Sequence, residues 1–289
     1  MIRFKTSSTA FYADLHLHST ASDGQLSPAA VAQKLTQKGV MAASLTDHDT
    51  VHGFVPFQKK FRGIAIPGVE LSVLHEEIDF HLLGYGFDPG DASLNEKLGY
   101  YRKVRHERMA KMVVKLQHLG LPIRREEVEA GLGTATAAGR PHIARVMVER
   151  GWVKSISEAF DTYLSYDKPA YVPKAKMSFD EGLDLIHAAK GIAVLAHPGK
   201  SSPNGLTPLL NHPRLDGIEV WHPDHNEEMS QQLLEIATNN GQIPTGGSDF
   251  HGSRPGAQSS LGEFGLDIRR WMDFKETLKN RKTFIAAYV

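Results

Sequence analysis

The chain has 289 residues, of which 41% are hydrophobic, so it can form one barrel-sized domain with an insertion or two ordinary domains. Its 33 basic and 33 acidic residues cancel, so the chain lacks the overall positive charge that is typical of nucleic-acid-binding proteins. The absence of cysteine excludes disulfide bonds, thiolate metal ligands and a cysteine nucleophile. Because we find no signal peptide and no membrane-spanning run, we expect a cytoplasmic protein with no membrane partner.

The first part of the chain is predicted to alternate strands and helices. A strand over residues 12–17 carries His16 and leads directly to His18. Side chains two positions apart on a strand point to the same face, so the two histidines can hold one cation between them. After this strand, Ser27 is a predicted helix cap, and Gly39 would end that helix.

Three further strands bring acidic and imidazole side chains. They cover residues 41–46, 64–69 and 78–83 and carry or precede Asp47, His48, Asp49, Glu70 and His81. Pro67 has no backbone N–H, so it favours a strand end or an edge position. By parity, Asp47 and Asp49 should point away from the ligand face of His48, where they either orient the site or serve as ordinary caps and turns.

Residues 93–164 change to a helical period. One long helix has apolar side chains at three- and four-residue spacing, at Leu94, Leu98, Tyr101, Met109, Met112, Val113 and Leu116. Gly120 and Pro122 would end it, and shorter helices are predicted around 125–130, 141–150 and 155–164. Residues 95–165 hold 13 basic and 8 acidic residues. This all-helical segment therefore presents either an anion-binding face or an ordinary solvated surface.

Strands and helices alternate again after residue 171. Ser178 and Glu181 form a predicted capping box. Strands over 192–196, 217–221 and 243–248 lead to His197, His222, Asp249 and His251. Ligand-type side chains at the carboxyl ends of successive strands are typical of α/β barrels, so we expect them to meet at one barrel end.

Repeated pairing of histidine with Asp or Glu predicts a site for several metal ions, although one His-x-His pair alone would be weak evidence. Imidazole and carboxylate ligands suit Mn²⁺, Fe²⁺, Zn²⁺ or Mg²⁺ and argue against iron–sulfur chemistry. A divalent ion lowers the pKa of bound water, so a metal-bound hydroxide is the predicted nucleophile for hydrolysis of a phosphate ester. The sequence has neither a Gly-x-Ser-x-Gly elbow nor a Walker-type loop.

The order of these residues resembles the PHP (polymerase and histidinol phosphatase) family of the amidohydrolase group. The resemblance covers residues 12–86 and 171–289 and fills nine ligand positions: His16, His18, Asp23, His48, Glu70, His81, His197, Asp249 and His251. It implies a distorted (β/α)7-type PHP barrel formed by residues 1–92 and 169–289, with an all-helical insertion over 93–168. It also implies two or three divalent ions, with Mn²⁺ as the first choice.

The family pattern implies three sub-sites for these ions. The first would use His16, His18, Glu70 and Asp249. Glu70 would bridge to a second, held by His81 and His197. The third would use Asp23, His48 and His251.

A second motif, Gly139-Arg140-Pro141-His142, opens a helix where Arg, His and free N–H groups can bind an anion, or where proline simply starts the helix. With Ala196-His197-Pro198 and the residues around Asp249, it resembles the 3′,5′-nucleoside bisphosphate phosphatases, some of which are also 5′–3′ exonucleases on short RNA. The implied reaction removes a 3′-phosphate or cuts the first 3′ phosphodiester of a 5′-phosphorylated end. Candidate substrate contacts are Arg140, His142, Lys168, Arg254 and His52. His222 is a candidate leaving-group acid or rim residue.

Two other functions remain as alternatives. A histidinol-phosphate phosphatase would share the metal pattern, but it must bind a cationic amine, which the basic residues of the insertion do not favour. A non-catalytic PHP binding module should have lost metal ligands, and every position is filled. We therefore expect a small nucleotide substrate, with short RNA 5′ ends as a second one, and no obligatory protein partner.

Overall fold

The computed structural model describes residues 11–76, 78–132, 139–173, 177–200, 206–252 and 261–287. Its centre is a seven-stranded sheet whose order in space follows the order along the chain. Strands β1–β7 are Ala13–Leu17, Ala42–Leu45, Ile64–His75, Ile78–Tyr85, Ile192–Leu195, Gly217–Trp221 and Ile243–Gly246. The segment after β7 returns to β1, where His18 N–H donates to the Phe250 carbonyl oxygen (3.0 Å). The sheet is thus a nearly closed barrel, and the predicted α/β barrel is confirmed.

One strand runs against the others. β1, β2 and β3 are parallel, and so are β5, β6 and β7, whereas β4 is antiparallel to both β3 and β5. The amino-terminal half of β4 therefore lies at the barrel end where the parallel strands have their carboxyl ends. His81 lies in that half, so it reaches the other candidate ligands from inside a strand. Glu70 also lies inside its strand, because β3 continues to His75.

The expectation for Pro67 was wrong, because it lies inside a strand with partners on both sides. Residues 64–67 of β3 pair with β2, and residues 68–75 pair with β4. Pro67 is the last residue of the first ladder, and its carbonyl oxygen accepts a hydrogen bond from Gly86 N–H (2.9 Å). The missing proline N–H falls where β3 exchanges one partner strand for the other, so proline is tolerated there.

The helices of the described residues have the predicted caps. Helices α1–α10 are Pro28–Gln37, Phe54–Gln58, Ala92–His118, Arg125–Ala130, Arg140–Glu149, Ile156–Ala159, Phe179–Ala188, Leu206–Leu210, Glu227–Asn239 and Ile268–Asn280. The Ser27 side chain accepts from Ala30 N–H, and Ser178 and Glu181 form the capping box of α7. No helix in this part of the chain is both long and apolar enough to cross a bilayer.

The long helix α3 links two hydrophobic cores. Leu94 and Leu98 pack into the barrel core, whereas Met109 and Met112 pack into a second core shared with α4 and α5. The insertion boundary at residue 93 stays a prediction, because α3 belongs to both cores. At 27 residues, α3 spans roughly 40 Å, enough to run the length of the barrel.

Candidate metal centre

The nine candidate ligands meet at the carboxyl end of the parallel strands. Their atoms form three groups, and within each group all ligand atoms lie within 4.8 Å of one another. The groups are His18, Asp23, His48 and His251; His16, His18, Glu70 and Asp249; and His48, Glu70 and His81. His197 joins them through Glu70, whose Oε1 lies 2.9 Å from His197 Nε2.

Glu70 lies at the centre of these groups and is almost fully buried. Its Oε2 is 3.1–3.3 Å from ring nitrogens of His16, His18 and His48. Its Oε1 is 2.7 Å from His81 Nδ1 and 2.9 Å from His197 Nε2. Because the two oxygens face different sets of histidines, this carboxylate has the arrangement of a ligand shared by two ions.

The chemistry of the cluster fits metal ions. Within the described part of the chain, six of its buried atoms make no hydrogen bond of normal geometry: His16 Nε2, both ring nitrogens of His18, His48 Nδ1, Glu70 Oε2 and His197 Nδ1. An unpaired buried polar group costs roughly 1–3 kcal/mol, so proteins normally avoid it. Here ring nitrogens and carboxylate oxygens converge on common spaces, and that donor set suits Mn²⁺, Fe²⁺ or Zn²⁺.

The observed groups differ in detail from the sub-sites that the family resemblance implies. His18 belongs to two groups, and so does His48. His48 Nδ1 lies 3.1 Å from Glu70 Oε2, whereas its Nε2 is 4.0 Å from Asp23 Oδ2. The assignment of each ligand to one ion therefore stays a prediction.

Opposite charges are concentrated in this buried cluster. Burial opposes ionisation of Glu70 and Asp249, but nearby cationic groups outweigh it and hold the pKa of each carboxyl well below its ordinary value. Burial also disfavours a charged His18, but Asp249 and Glu70 outweigh it and raise the pKa of His18 to about 10. The pKa of His16 is raised as well, since Glu219 and Glu70 overcome the effect of burial. A bound cation must therefore displace protons from both histidines at neutral pH.

Glu219 supports the cluster and was not singled out from the sequence. It lies fully buried in β6, with Oε1 2.9 Å from His16 Nδ1, and its Oε2 accepts from His197 N–H (2.7 Å). Burial opposes its ionisation, but His16 outweighs burial and lowers the pKa of Glu219 to about 2. If His16 Nδ1–H donates to Glu219, His16 Nε2 is left as the ligand atom. The available signal was a glutamate inside an otherwise apolar strand.

Asp47 fixes the segment that carries Asp23. Its carboxylate accepts from Ser19 N–H (2.7 Å), Ser19 Oγ (2.7 Å) and Ser22 Oγ (2.6 Å). Of the two alternatives for Asp47, these contacts favour the orienting role. Carboxylate acceptors for backbone and hydroxyl donors form strong hydrogen bonds, so the loop is held firmly beside His48.

The turn after β7 is positioned by β1. Asp14 accepts from Ser248 N–H (2.9 Å) and Ser248 Oγ (2.7 Å), and burial raises the pKa of Asp14 to about 6. Gly247 lies so close to β1 that a Cβ there would be 2.3 Å from His16 N. Asp249 follows with a φ of 49°, a conformation that is uncommon outside glycine and often found at functional sites.

Two basic groups contact Asp249. His222 Nδ1 accepts from Asp224 N–H (3.1 Å), which assigns the proton of a neutral ring to Nε2, 3.3 Å from Asp249 Oδ2. Lys200 Nζ lies 2.7 Å from the same oxygen. His222 is 1% exposed, so its contacts hold Asp249 in place, and its role as a leaving-group acid stays a prediction.

A pocket of about 200 Å³ adjoins the metal groups. Its lining combines three candidate ligands with three arginines of the helical segment: Asp23, His48, His81, Arg105, Arg108 and Arg140. Arg105 and Arg108 come from α3, one turn apart, and Arg140 begins α5. The pocket therefore joins the barrel chemistry to a cationic wall.

Contacts within the protein hold the pocket arginines in place. Arg105 pairs through Nε with the Asp49 carboxylate and donates from Nη2 to Ser72 Oγ (2.5 Å). Burial, followed by repulsion from Arg140 and Arg105, lowers the pKa of Arg108 to about 10. Like charges crowded around one space favour an anion between them, and guanidinium groups match phosphate oxygens. None of the arginines on α3 was singled out from the sequence.

Of the predicted substrate contacts, Arg140 reaches this pocket and His142 has another use. Arg140 lines the pocket and donates to the Leu164 carbonyl oxygen (3.3 Å). His142 Nδ1 accepts from Gly139 N–H (3.1 Å) and caps α5, and the side chain is almost fully buried. The capping contact gives His142 a structural role at the helix end.

The remaining predicted contacts lie elsewhere or cannot be placed. His52 and Lys168 are exposed, and neither is among the described residues that line the pocket. Arg254 lies outside the described residues.

Comparisons with known proteins identify the family of this chain. Residues 14–192 match the PHP domain family. The chain is 33% identical over 248 residues to the 5′-3′ exoribonuclease Rnm of Escherichia coli, covering 82% of this chain and 84% of the relative. It is 32% identical over 255 residues to the 3′,5′-nucleoside bisphosphate phosphatase of Chromobacterium violaceum, covering 85% and 89%. The structure of an amidohydrolase from Chromobacterium violaceum with bound sulfate matches with a TM-score of 0.83 at 30% identity, covering 93% and 96%. By its sequence and by its fold, the chain belongs to the PHP domain family.

Proposed function

We propose that this hydrolase of phosphoric esters removes the 3′-phosphate of nucleoside 3′,5′-bisphosphates and leaves the 5′-monophosphate. The observation that carries the proposal is the shared pocket, in which candidate metal ligands and three arginines line one cavity. A substrate with two phosphates could place one at the metal groups and the other at the arginines. The name of the Chromobacterium violaceum phosphatase, at 32% identity, supports this substrate.

In this arrangement Arg105, Arg108 and Arg140 bind the 5′-phosphate. Guanidinium groups bind phosphate through paired N–H donors, and such charge-assisted hydrogen bonds are about twice as strong as neutral ones. Asp49 holds Arg105 before substrate arrives, so little conformational freedom is lost on binding. Roles for His52, His142, Lys168 and Arg254 in substrate binding stay predictions.

The metal requirement follows from the same residues. We propose that the three groups hold two or three divalent ions, with Mn²⁺ as the first choice and Fe²⁺, Zn²⁺ or Mg²⁺ as alternatives. When bound, such ions activate water and stabilise negative charge on phosphoryl oxygens. Glu219 fixes the ring of His16, and Asp47 fixes the loop of Asp23, so the chain supplies a site already arranged for these ions.

The leaving group of the proposed reaction is the ribose 3′-oxygen, which must gain a proton. We propose that His222, whose Nε2 lies 3.3 Å from Asp249 Oδ2, donates this proton from its doubly protonated form and is left neutral. In a short RNA with a 5′-phosphate, the same 3′-oxygen would leave, and the next nucleotide would keep the phosphorus as its new 5′-phosphate. The Escherichia coli relative named as a 5′-3′ exoribonuclease, at 33% identity, supports this second substrate.

The two alternative functions fit the site less well. Histidinol phosphate would bring its amine towards three arginines, where like charges repel. A non-catalytic module would have no need for eight ligand-type side chains gathered in three groups.

Phosphate release from three substrates tests the proposal. The protein is stripped with a chelator, reloaded with Mn²⁺ and given adenosine 3′,5′-bisphosphate, histidinol phosphate or adenosine 5′-monophosphate. We expect rapid release from the first substrate alone, with adenosine 5′-monophosphate as the product seen by chromatography. Faster release from histidinol phosphate, or loss of the 5′-phosphate instead, would contradict the proposal. Asp249→Asn removes a candidate ligand and should lower turnover by several orders of magnitude, which excludes a contaminating phosphatase.

A further inference from the structure

An aromatic pair extends the cationic wall of the pocket towards solvent. The guanidinium carbon of Arg108 lies 5.5 Å from the ring centroid of Tyr171. The Tyr171 ring lies 5.5 Å from that of Tyr166, centroid to centroid, with 70° between the ring planes. Tyr166 is 70% exposed. The two rings therefore form a corner that begins at a pocket-lining arginine and opens to water.

This corner is attached firmly to α3. Arg108 Nε donates to the Val172 carbonyl oxygen (2.6 Å), and Lys115 Nζ donates to the Tyr171 carbonyl oxygen (2.6 Å). Both bonds hold the backbone of the tyrosine segment against the helix that carries Arg105 and Arg108. A flat surface fixed in advance can bind a ring at little entropic cost.

A second exposed tyrosine shows what distinguishes this corner. Tyr100 is 58% exposed and also contacts a neighbouring ring, that of Tyr101. Among the described residues, no pocket arginine lies over either of these rings, whereas Arg108 lies over the ring of Tyr171. Exposure and ring pairing are thus common to both places, whereas the link to a phosphate-binding arginine belongs to Tyr166 and Tyr171.

We propose that Tyr166 and Tyr171 form the binding site for the nucleobase of the substrate, which stacks on one ring and meets the edge of the other. The inference rests on the proposed function, because it places the 5′-phosphate against Arg108. Stacking on aromatic side chains accepts every base, since each has a π-face. We therefore expect broad base tolerance, with purines bound more tightly than pyrimidines.

Binding of the product and of its baseless counterpart isolates the base. Calorimetry with the metal-loaded protein compares adenosine 5′-monophosphate with ribose 5-phosphate, for the unmodified chain and for Tyr166→Ala, Tyr166→Phe and Tyr100→Ala. For Tyr166→Ala we expect a loss of roughly five- to tenfold in affinity for adenosine 5′-monophosphate, at the lower end of base stacking. Affinity for ribose 5-phosphate should not change. Tyr166→Phe keeps the ring and should restore binding, and Tyr100→Ala should have no effect.

The outcomes separate this inference from the proposed function. Equal affinity of the unmodified chain for both ligands, no binding of adenosine 5′-monophosphate, or an equal loss on both ligands in Tyr166→Ala would overturn the base site. If the base-dependent loss is found but adenosine 3′,5′-bisphosphate is not hydrolysed, the base site stands and the proposed reaction fails.

Discussion

The arginines and the metal ligands of the shared pocket act on different parts of the proposed substrate. Arg140→Ala removes one charge-assisted contact with the 5′-phosphate, typically worth ~1.5–3 kcal/mol. We expect kcat/KM for adenosine 3′,5′-bisphosphate to fall roughly ten- to a hundredfold. Adenosine 3′-monophosphate lacks the 5′-phosphate, so its slower hydrolysis should barely change.

Arg150→Ala is the matched control for this prediction. Arg150 is exposed at the other end of α5, where it pairs with Glu127. It should leave both reactions unchanged. Equal losses on the two substrates in Arg140→Ala would show that Arg140 supports the site generally, and no loss on either would remove it from substrate binding.

Glu219 offers a test of metal binding that does not depend on turnover. Glu219 uses one oxygen towards His16 Nδ1 and the other towards His197 N–H. Glu219→Gln replaces one of these oxygens by an NH₂ group, which donates and cannot accept, so one of the two contacts is lost. We expect metal affinity to fall roughly ten- to a hundredfold, as is typical when such a partner of a ligand histidine is lost. Competition with a chromogenic chelator measures the affinity. Glu235→Gln, on the exposed face of α9, serves as the control, and equal affinities in the two variants would refute the role of Glu219.

Sequence reasoning at the residue scale found the side chains that converge at the barrel end, but it missed Glu219 and the arginines of α3. His16 and His18 alone carry a weak signal, which becomes strong because histidine is paired with Asp or Glu near several other strands. Glu219 occupies one position in an apolar strand, and its partner His16 is 203 residues away. Arg105 and Arg108 lie in a helix whose periodicity shows which side is buried, and no local pattern shows what the other side contacts.

At the scale of elements, barrel closure depends on how closely β7 approaches β1. Gly247→Ala would place a Cβ 2.3 Å from His16 N, against backbone that cannot move aside. We expect it to destabilise the fold by at least ~1–3 kcal/mol, the usual cost of overpacking, and to weaken metal binding by shifting His16. Denaturant unfolding and chelator competition measure the two effects.

Gly99→Ala provides an internal contrast. Gly99 lies within α3, where the nearest neighbour of an added Cβ is Arg102 Nη2 at 3.6 Å. Alanine is a better helix former than glycine, so this variant should be stabilised by ~0.5–1 kcal/mol. A stable Gly247→Ala variant with normal metal affinity would show that the barrel can relax at this contact.

Strand direction was the element-scale feature that the sequence did not predict. The apolar run around His81 identifies a strand, but a buried strand pattern reads the same for either direction. Pro67 suggested a strand end or an edge because proline lacks an N–H. The change of partner strand inside β3, which tolerates this proline, depends on pairing across the whole sheet and leaves no local pattern. Helix boundaries were predicted better, since Ser27, Gly39 and Ser178 act within one turn of chain.

For the whole molecule, the buried charge cluster couples metal binding to pH. The pKa values of His16 and His18 are raised in the protein without metal, to about 10 for His18. Both rings are therefore doubly protonated and positively charged at neutral pH. Metal ions must displace these protons. Apparent affinity should therefore rise as pH increases from 6 to 8, and it should continue to rise until pH approaches the pKa of His18, about 10.

Calorimetry in buffers of different ionisation enthalpy measures the released protons directly. We expect proton release on Mn²⁺ binding at neutral pH, with no change in His118→Ala, an exposed histidine at the end of α3. An enthalpy that is independent of the buffer, with an affinity independent of pH, would contradict the coupling.

The reversed strand β4 also separates what this protein can inherit from what it can alter. Because β4 returns the chain to the far end of the barrel, α3 must travel back along the outside before it delivers Arg105 and Arg108. The candidate metal ligands all come from barrel segments, whereas the cationic wall and the tyrosine corner come from residues 105–171. Mutations in that one continuous stretch could change which phosphate ester is recognised while the metal centre stays the same. Relatives with the same metal centre can therefore differ in substrate and keep the same hydrolytic chemistry.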